Sequence, residues 1–287
     1  MRAPAGRRRV LVTGATGYIA GQLLPAFRER YDLVLLDART TDRQGRPVEG
    51  VIVADLRSTD LDALRPHFAG VDTVVHLAYY RPNGPVGAGH TYYDERVNVD
   101  MAYHVYQLSF DAGVRRVVMA SSNHACDWYE HLLRARKLDM VYPDTYPLSD
   151  NYYGWAKIAY EHLGFIFACG ALGRKMGVVQ IRIGAPREIV AERFQGNPVG
   201  YKRDLGAYIS QRDLQQLFIK SIETENIANE YGIPFQIFYG ISGNTRAFWS
   251  IANARRVIGY EPEDDSEVKY ADDIRRMLIE PGLGGRL

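Results

Sequence analysis

Cysteine is scarce in this chain. Cys126 and Cys169 are its two cysteines in 287 residues, and they make neither a CxxC pair nor a disulfide framework. A reducing, intracellular setting is the expectation, and the cytoplasm the expected location. Long apolar runs are missing as well. With no stretch of 18 apolar residues, no transmembrane helix is indicated. The first residues are basic but carry no apolar core segment, so a secretory leader is not expected. Neither sign of charge dominates: 35 Lys and Arg stand against 34 Asp and Glu, a net charge of +1. That balance gives no pull toward nucleic acid or acidic membranes. The short run Arg7-Arg8-Arg9 reads as a solvated leader. No repeat, low-complexity tract or metal-ligand set stands out. What remains is an ordinary globular composition, 46% hydrophobic, at a length that suits one large domain or a domain with an appended lobe.

The first informative stretch is Arg9 to Gly21, RVLVTGATGYIAG. Val10, Leu11 and Val12 suit a strand buried on both faces. Gly14-Ala15-Thr16-Gly17 is a tight turn, and Tyr18 onward, through Leu23, Leu24 and Phe27, has amphipathic helical spacing. A strand turning through glycines into a helix offers free N–H groups at the positive end of the helix dipole, a seat for a pyrophosphate. The spacing is G-x-x-G-x-x-A, with Ala20 as the third small residue. Thr16, Tyr18 and Ile19 belong to the same cradle. A second apolar run, Leu33 to Leu36, ends in Asp37, about 20 residues beyond the glycines. A carboxylate there can accept from adenosine ribose hydroxyls and repel a 2′-phosphate, which favours NAD. Arg39 keeps NADP open.

Further strands are expected at 51–54, 73–78, 116–120, 178–183 and 235–239. Helices are expected at 60–68, 97–112, 152–172, 212–228 and 249–257. Residues 79–95, rich in Gly, Pro and Tyr, read as a loop, and 185–206 as an irregular lid. Strands alternating with helices predict an α/β fold with a doubly wound parallel sheet of Rossmann type. Residues 1–184, completed by parts of 207–243, are expected to form the dinucleotide-binding domain. Residues 185–287 are expected to form mostly a small C-terminal substrate lobe. In such sheets ligands sit beyond the carboxyl ends of the strands, so the residues just after each strand carry the function.

Tyr153-Gly154-Trp155-Ala156-Lys157 places a phenol and an ammonium four apart, on one helix face. A phenol with its ordinary pKa of about 10 is a poor base near neutrality, and a nearby ammonium lowers it. By itself such a pair is more often a surface or core feature than a catalytic one.

Together with TGATGYIA (Thr13 to Ala20), Asp37, Asp55-Leu56 and Ser121-Ser122, the YGWAK run resembles the extended short-chain dehydrogenases/reductases. The resemblance implies Tyr153 as acid/base, Lys157 as ribose ligand and tuner of the Tyr, and Ser122 as donor to the substrate oxygen. It gives Asp55 to the adenine amino group and Asn98 its usual helix position. Leu56, Leu77 and Ala78 complete the cofactor set. A narrower likeness is to uronate dehydrogenases. It is carried by His76-Leu77-Ala78, Ala120 to His124, YGWAK, Arg182-Ile183-Gly184, Phe248-Trp249 and Ile258 to Pro262. That family oxidises C1 of glucuronate or galacturonate with NAD to an aldarolactone. The likeness assigns Ser122, Asn123 and His124 to the sugar and Arg182 to its carboxylate, which a guanidinium can grip bidentately. Tyr80 and Arg81 are expected at the same site, although the Tyr79-Tyr80-Arg81-Pro82 loop departs from the family, as does the long connection from Asn123 to Tyr153. A nucleotide-sugar epimerase or dehydratase on the same scaffold is the alternative, and a non-catalytic NAD(P) sensor a third reading. A small sugar or sugar-acid substrate and a homodimer paired through the Tyr–Lys helix complete the expectation. The apolar residues Ile158, Leu163, Phe165, Ile166 and Phe167 permit such an interface.

Overall fold

The computed structural model describes residues 6–81 and 90–285. Seven strands form one parallel sheet: β1 (Arg9–Thr13), β2 (Asp32–Asp37), β3 (Val51–Val53), β4 (Thr73–His76), β5 (Arg116–Ser122), β6 (Gly177–Ile183) and β7 (Phe235–Gly240). Their order is β3-β2-β1-β4-β5-β6-β7. The chain therefore starts in the middle, runs out to one edge, and returns across β1 to the other. The reversal leaves a crevice above β1 and β4, whose register runs Val10↔Thr73 to Thr13↔His76.

Alternation along each strand splits the core into two layers. Val10 and Val12 pack with Leu23 and Phe27 of α1 (Tyr18–Arg30) and with Leu214 and Phe218 of α7 (Gln211–Glu223). Leu11 points the other way. It packs with Met101 and Val105 of α3 (Tyr92–Asp111) and with Ala156 and Tyr160 of α5 (Tyr152–Ala168). Both faces are covered, which is why the strands read as unbroken apolar runs.

Several boundaries differ from expectation. α3 begins at Tyr92 because Thr91 and Asp94 form a reciprocal capping box. Part of the expected 79–95 loop is thus helical, and 82–89 lie outside the described residues. The helix expected at 60–68 is α2 (Leu61–Leu64), capped by Asp60, followed by a 3₁₀ turn over Arg65–Phe68. Asn123–Tyr129 is a 3₁₀ segment leading into α4 (Glu130–Arg134). The expected irregular lid contains a helix, α6 (Pro198–Ala207). Asn197 accepts from the Gly200 N–H at 2.9 Å and Pro198 occupies the first turn. Tyr201 and Leu205 of α6 are buried against Ile274 and Leu278 in a small third cluster.

Candidate active site

The glycine turn stands where β1 meets α1. Gly14 has φ +70°, and a Cβ there would lie 2.6 Å from the backbone N and Cα of Ala78. The crossing of these two loops therefore requires glycine. Gly17 caps α1 with no side-chain hydrogen bond, so the first-turn N–H groups remain for a ligand. This cradle fits a dinucleotide pyrophosphate. Asp37 ends β2 beside it and accepts from both the backbone N–H and hydroxyl of Thr16, at 2.9 and 2.8 Å. Arg39 donates to the same Thr16 hydroxyl at 3.2 Å. Asp55 holds Arg57 in a bidentate pair, which lowers its carboxyl below the usual range. Tyr18 is exposed at the start of α1, and Ile19 packs on the core. Leu56 is buried and its carbonyl accepts from His104. Leu77 and Ala78 follow β4, Leu77 donating its N–H to the Thr13 carbonyl.

Asn98, expected among the cofactor ligands, is engaged elsewhere. Its amide oxygen accepts from the Tyr80 N–H at 2.7 Å, and its nitrogen donates to the Tyr80 carbonyl at 2.9 Å. It holds the loop that leaves β4. Tyr80 in turn packs its ring under the Arg57 guanidinium, and Arg81 is exposed.

β5 extends two residues past the expected end and carries Ser121 and Ser122 to its tip. Asn151 caps α5 by accepting from the Gly154 N–H at 2.9 Å, which fixes Tyr153 and Lys157 opposite that tip. Lys157 Nζ donates to the Ala120 carbonyl at 3.1 Å and lies 5.4 Å from the Tyr153 ring centroid. Burial lowers the Lys157 ammonium to about 8, partly offset by the Glu95 and Glu161 carboxylates. Burial also pushes the Tyr153 phenol up to about 12, against a hydrogen bond with Ser122 that lowers it. Desolvation therefore outweighs the lowering by Ser122, and the Glu95 and Asp127 carboxylates raise the phenol further.

Arg182 requires a correction. Its side chain is 0% exposed, and it donates to Glu161 of α5 through Nε at 2.8 Å and Nη2 at 2.7 Å. Its remaining nitrogen faces the Tyr239 hydroxyl at 3.0 Å and Cys126 Sγ at 3.3 Å. The guanidinium is a buried tie between β6, β7 and α5, not a free anchor for a substrate carboxylate. Glu161 lies four residues beyond Lys157, on the same helix face, and that spacing was the available signal. Ser122, Asn123 and His124 do converge beside Tyr153: the His124 and Tyr153 rings are 5.5 Å apart, and the Asn123 side chain is buried.

Two features lay beyond sequence reasoning. Glu95 is fully buried and accepts from the Tyr79 hydroxyl at 2.6 Å and pairs with His90 at 2.8 Å. Tyr79 stacks edge-on against Tyr153, 5.5 Å away, so this cluster forms one wall of the site. On the other side, a cleft of about 280 Å³ opens between His124 and Arg203 of α6.

The family model for the NAD dependent epimerase/dehydratase family matches residues 10–183. The chain is 34% identical over 272 residues to an NAD-dependent glucose-6-phosphate dehydrogenase of Haloferax volcanii, covering 90% of this chain and 94% of the relative. It is 29% identical over 267 residues to an L-arabinose 1-dehydrogenase (NAD(P)(+)) of the same organism, covering 90% and 97%. A solved mutated uronate dehydrogenase superposes with a TM-score of 0.71 at 23% identity, over 94% of this chain and 86% of that one, a likeness of fold. No helix among the described residues is long and apolar enough to cross a membrane. With a glycine cradle fit for a pyrophosphate and a Tyr–Lys pair facing it across β4 and β5, the chain belongs to the NAD-dependent epimerase/dehydratase family.

Proposed function

We propose that the protein oxidises the C1 hydroxyl of a cyclic monosaccharide or sugar acid to the corresponding lactone, with NAD as oxidant. The supporting observation is the meeting of Ser122, Tyr153 and Lys157 at the tip of β5, next to the Gly14 turn. Ser122 orients the C1 oxygen by hydrogen bonding, and Tyr153 takes its proton as general base. Lys157 holds positive charge against the phenol, which favours the phenolate. Bound NAD supplies the acceptor for the hydride that leaves C1.

A uronate yielding an aldarolactone is the acid member of this substrate class. The Ser122-Asn123-His124 run and the YGWAK segment support it; Arg182, tied to Glu161, does not serve as its anchor. Asp37 beside the glycine turn supports NAD over NADP. In the same spirit we propose a homodimer, supported by Phe165 and Ile166, which α5 leaves exposed; Phe167, expected on the same face, is instead buried against Tyr106 and Phe110. The test of the main reading is absorbance at 340 nm with NAD and a panel of aldoses, uronates and aldose phosphates. NADH formation with any of them upholds C1 oxidation. No NADH from the panel, with nucleotide sugars interconverted instead, replaces it by the epimerase reading.

A further inference from the structure

Burial works against the charge on Lys157. An ammonium carries three donors. Among the described residues this one meets a single acceptor, the Ala120 carbonyl at 3.1 Å. The rest of its surroundings are aromatic. Nζ lies 4.5 Å from the Tyr160 ring centroid, 5.2 Å from that of Tyr79 and 5.4 Å from that of Tyr153. A cation within about 6 Å of a ring face is drawn to its negative quadrupole, most strongly where water is excluded.

Two of these rings come with the helix. Tyr153 precedes Lys157 by four residues and Tyr160 follows it by three, so all three share one face of α5. Tyr79 comes from outside, from the loop that leaves β4, and α3 holds it in place. Glu95 and Asn98 lie three apart on one face of α3. Glu95 accepts from the Tyr79 hydroxyl at 2.6 Å. Asn98 grips the Tyr80 backbone at both N–H and carbonyl, and donates to Glu95 at 3.3 Å. Glu95 is 0% exposed and pairs with His90 at 2.8 Å, so the anchor is itself fixed. The Tyr79 ring thus stands at 90° to that of Tyr153, their centroids 5.5 Å apart.

Burying a carboxylate is costly unless donors meet it, and an apolar side chain would fill the same space without that cost. What Glu95 adds is a tethered ring and a negative charge behind it. Among the described residues, the other groups whose charge bears on Lys157 are Glu161 of α5 and His76 of β4. Glu161 is already engaged by Arg182 of β6, and burial keeps His76 neutral.

We propose that Tyr79, tethered by Glu95, is a positioning residue for the Tyr153–Lys157 pair: its ring closes an aromatic cage that keeps the Lys157 ammonium charged beside the phenol. A charged Lys157 is the state that favours the phenolate. The catalytic consequence rests on the C1-oxidation reading; the cage does not.

The test alters the electron distribution of the ring while keeping its shape. In the full chain, Tyr79→Phe is compared with the same position carrying pentafluorophenylalanine, introduced by nonsense suppression. Fluorination reverses the ring quadrupole. The readout is the Lys157 titration midpoint, followed by NMR of lysine isotopically labelled at Cε and identified by the signal missing in Lys157→Met. The fluorinated protein should titrate lower than Tyr79→Phe by roughly 0.5 to 1 pH unit, and the parent, whose ring is tethered, should titrate highest. Coincident midpoints in the Phe and fluorinated proteins, or a rise on fluorination, would make Tyr79 a packing residue alone and overturn the proposal. Activity is read with NAD and whichever sugar of the 340 nm panel is turned over. At pH 8, near the Lys157 midpoint, fluorination should cut kcat roughly two- to fivefold and leave KM within about twofold. A shifted midpoint with unchanged kcat would remove Tyr79 from the catalytic machinery. Silence with every sugar defeats the C1-oxidation reading, and the midpoints, which need no substrate, still decide the cage.

Discussion

At the scale of single residues, the site depends on what burial does to two titratable groups. Desolvation pushes Tyr153 up to about 12 and Lys157 down to about 8. If Tyr153 is the base, Tyr153→Phe should cut kcat by roughly 10²- to 10⁴-fold while NAD titration by calorimetry gives an unchanged Kd. Normal turnover would remove Tyr153 from the mechanism. Lys157 also makes a stability prediction. Its folded pKa lies below the ordinary 10.5, so between about 8 and 10.5 the unfolded chain binds more protons and stability rises with pH. Below about 8 the whole penalty is present. Lys157→Met should therefore exceed the parent in urea midpoint most at pH 7, and the gap should close as pH climbs through that window. Asp37→Ala should narrow the preference for NAD over NADP, read from the ratio of the two kcat/KM values.

Elements show how far residue patterns carry and where they stop. The central strands were legible because both faces of the sheet are covered, so they carry bare apolar runs such as Val10 to Val12 and Leu33 to Leu36. The Gly14 turn was legible too: Gly14→Ala forces a side chain into Ala78 and should abolish NAD binding in calorimetry while the chain stays folded. The segment 123–134 and α6 were not legible. Their helical turns are short, and what holds them is distant in sequence, as with Arg203 on Glu130 and Leu205 against Ile274. Arg182 was legible as a cation at a strand end, but its partner was not. Glu161 also accepts from Ser121, so one carboxylate joins α5 to β5 and β6. Arg182→Met strands that carboxylate in the core and should cost about 3–5 kcal/mol, measured by chemical denaturation. A loss confined to KM for uronates would instead restore Arg182 to the substrate.

For the whole molecule, the reversal of strand order above β1 and β4 does most to make a site. It brings residues as far apart as Gly14, Ala78, Ser122 and Tyr153 to one crevice without any of them being neighbours in the chain. If two copies pair through α5, Phe165→Arg with Ile166→Arg should halve the mass seen by sedimentation while leaving monomer turnover measurable. An unchanged mass would separate α5 from any assembly.

The same strand order governs the chain during its synthesis. β1 to β5 are adjacent in the finished sheet and are complete once Ser122 is made, but β6 begins only at Gly177. At roughly 5–20 residues per second, the ribosome needs several seconds to deliver it. Throughout that interval β5, the strand that carries Ser122, is a bare apolar edge open to pairing with another chain. The strand that ends in Ser122 is therefore an edge open to aggregation until β6 arrives to cover it.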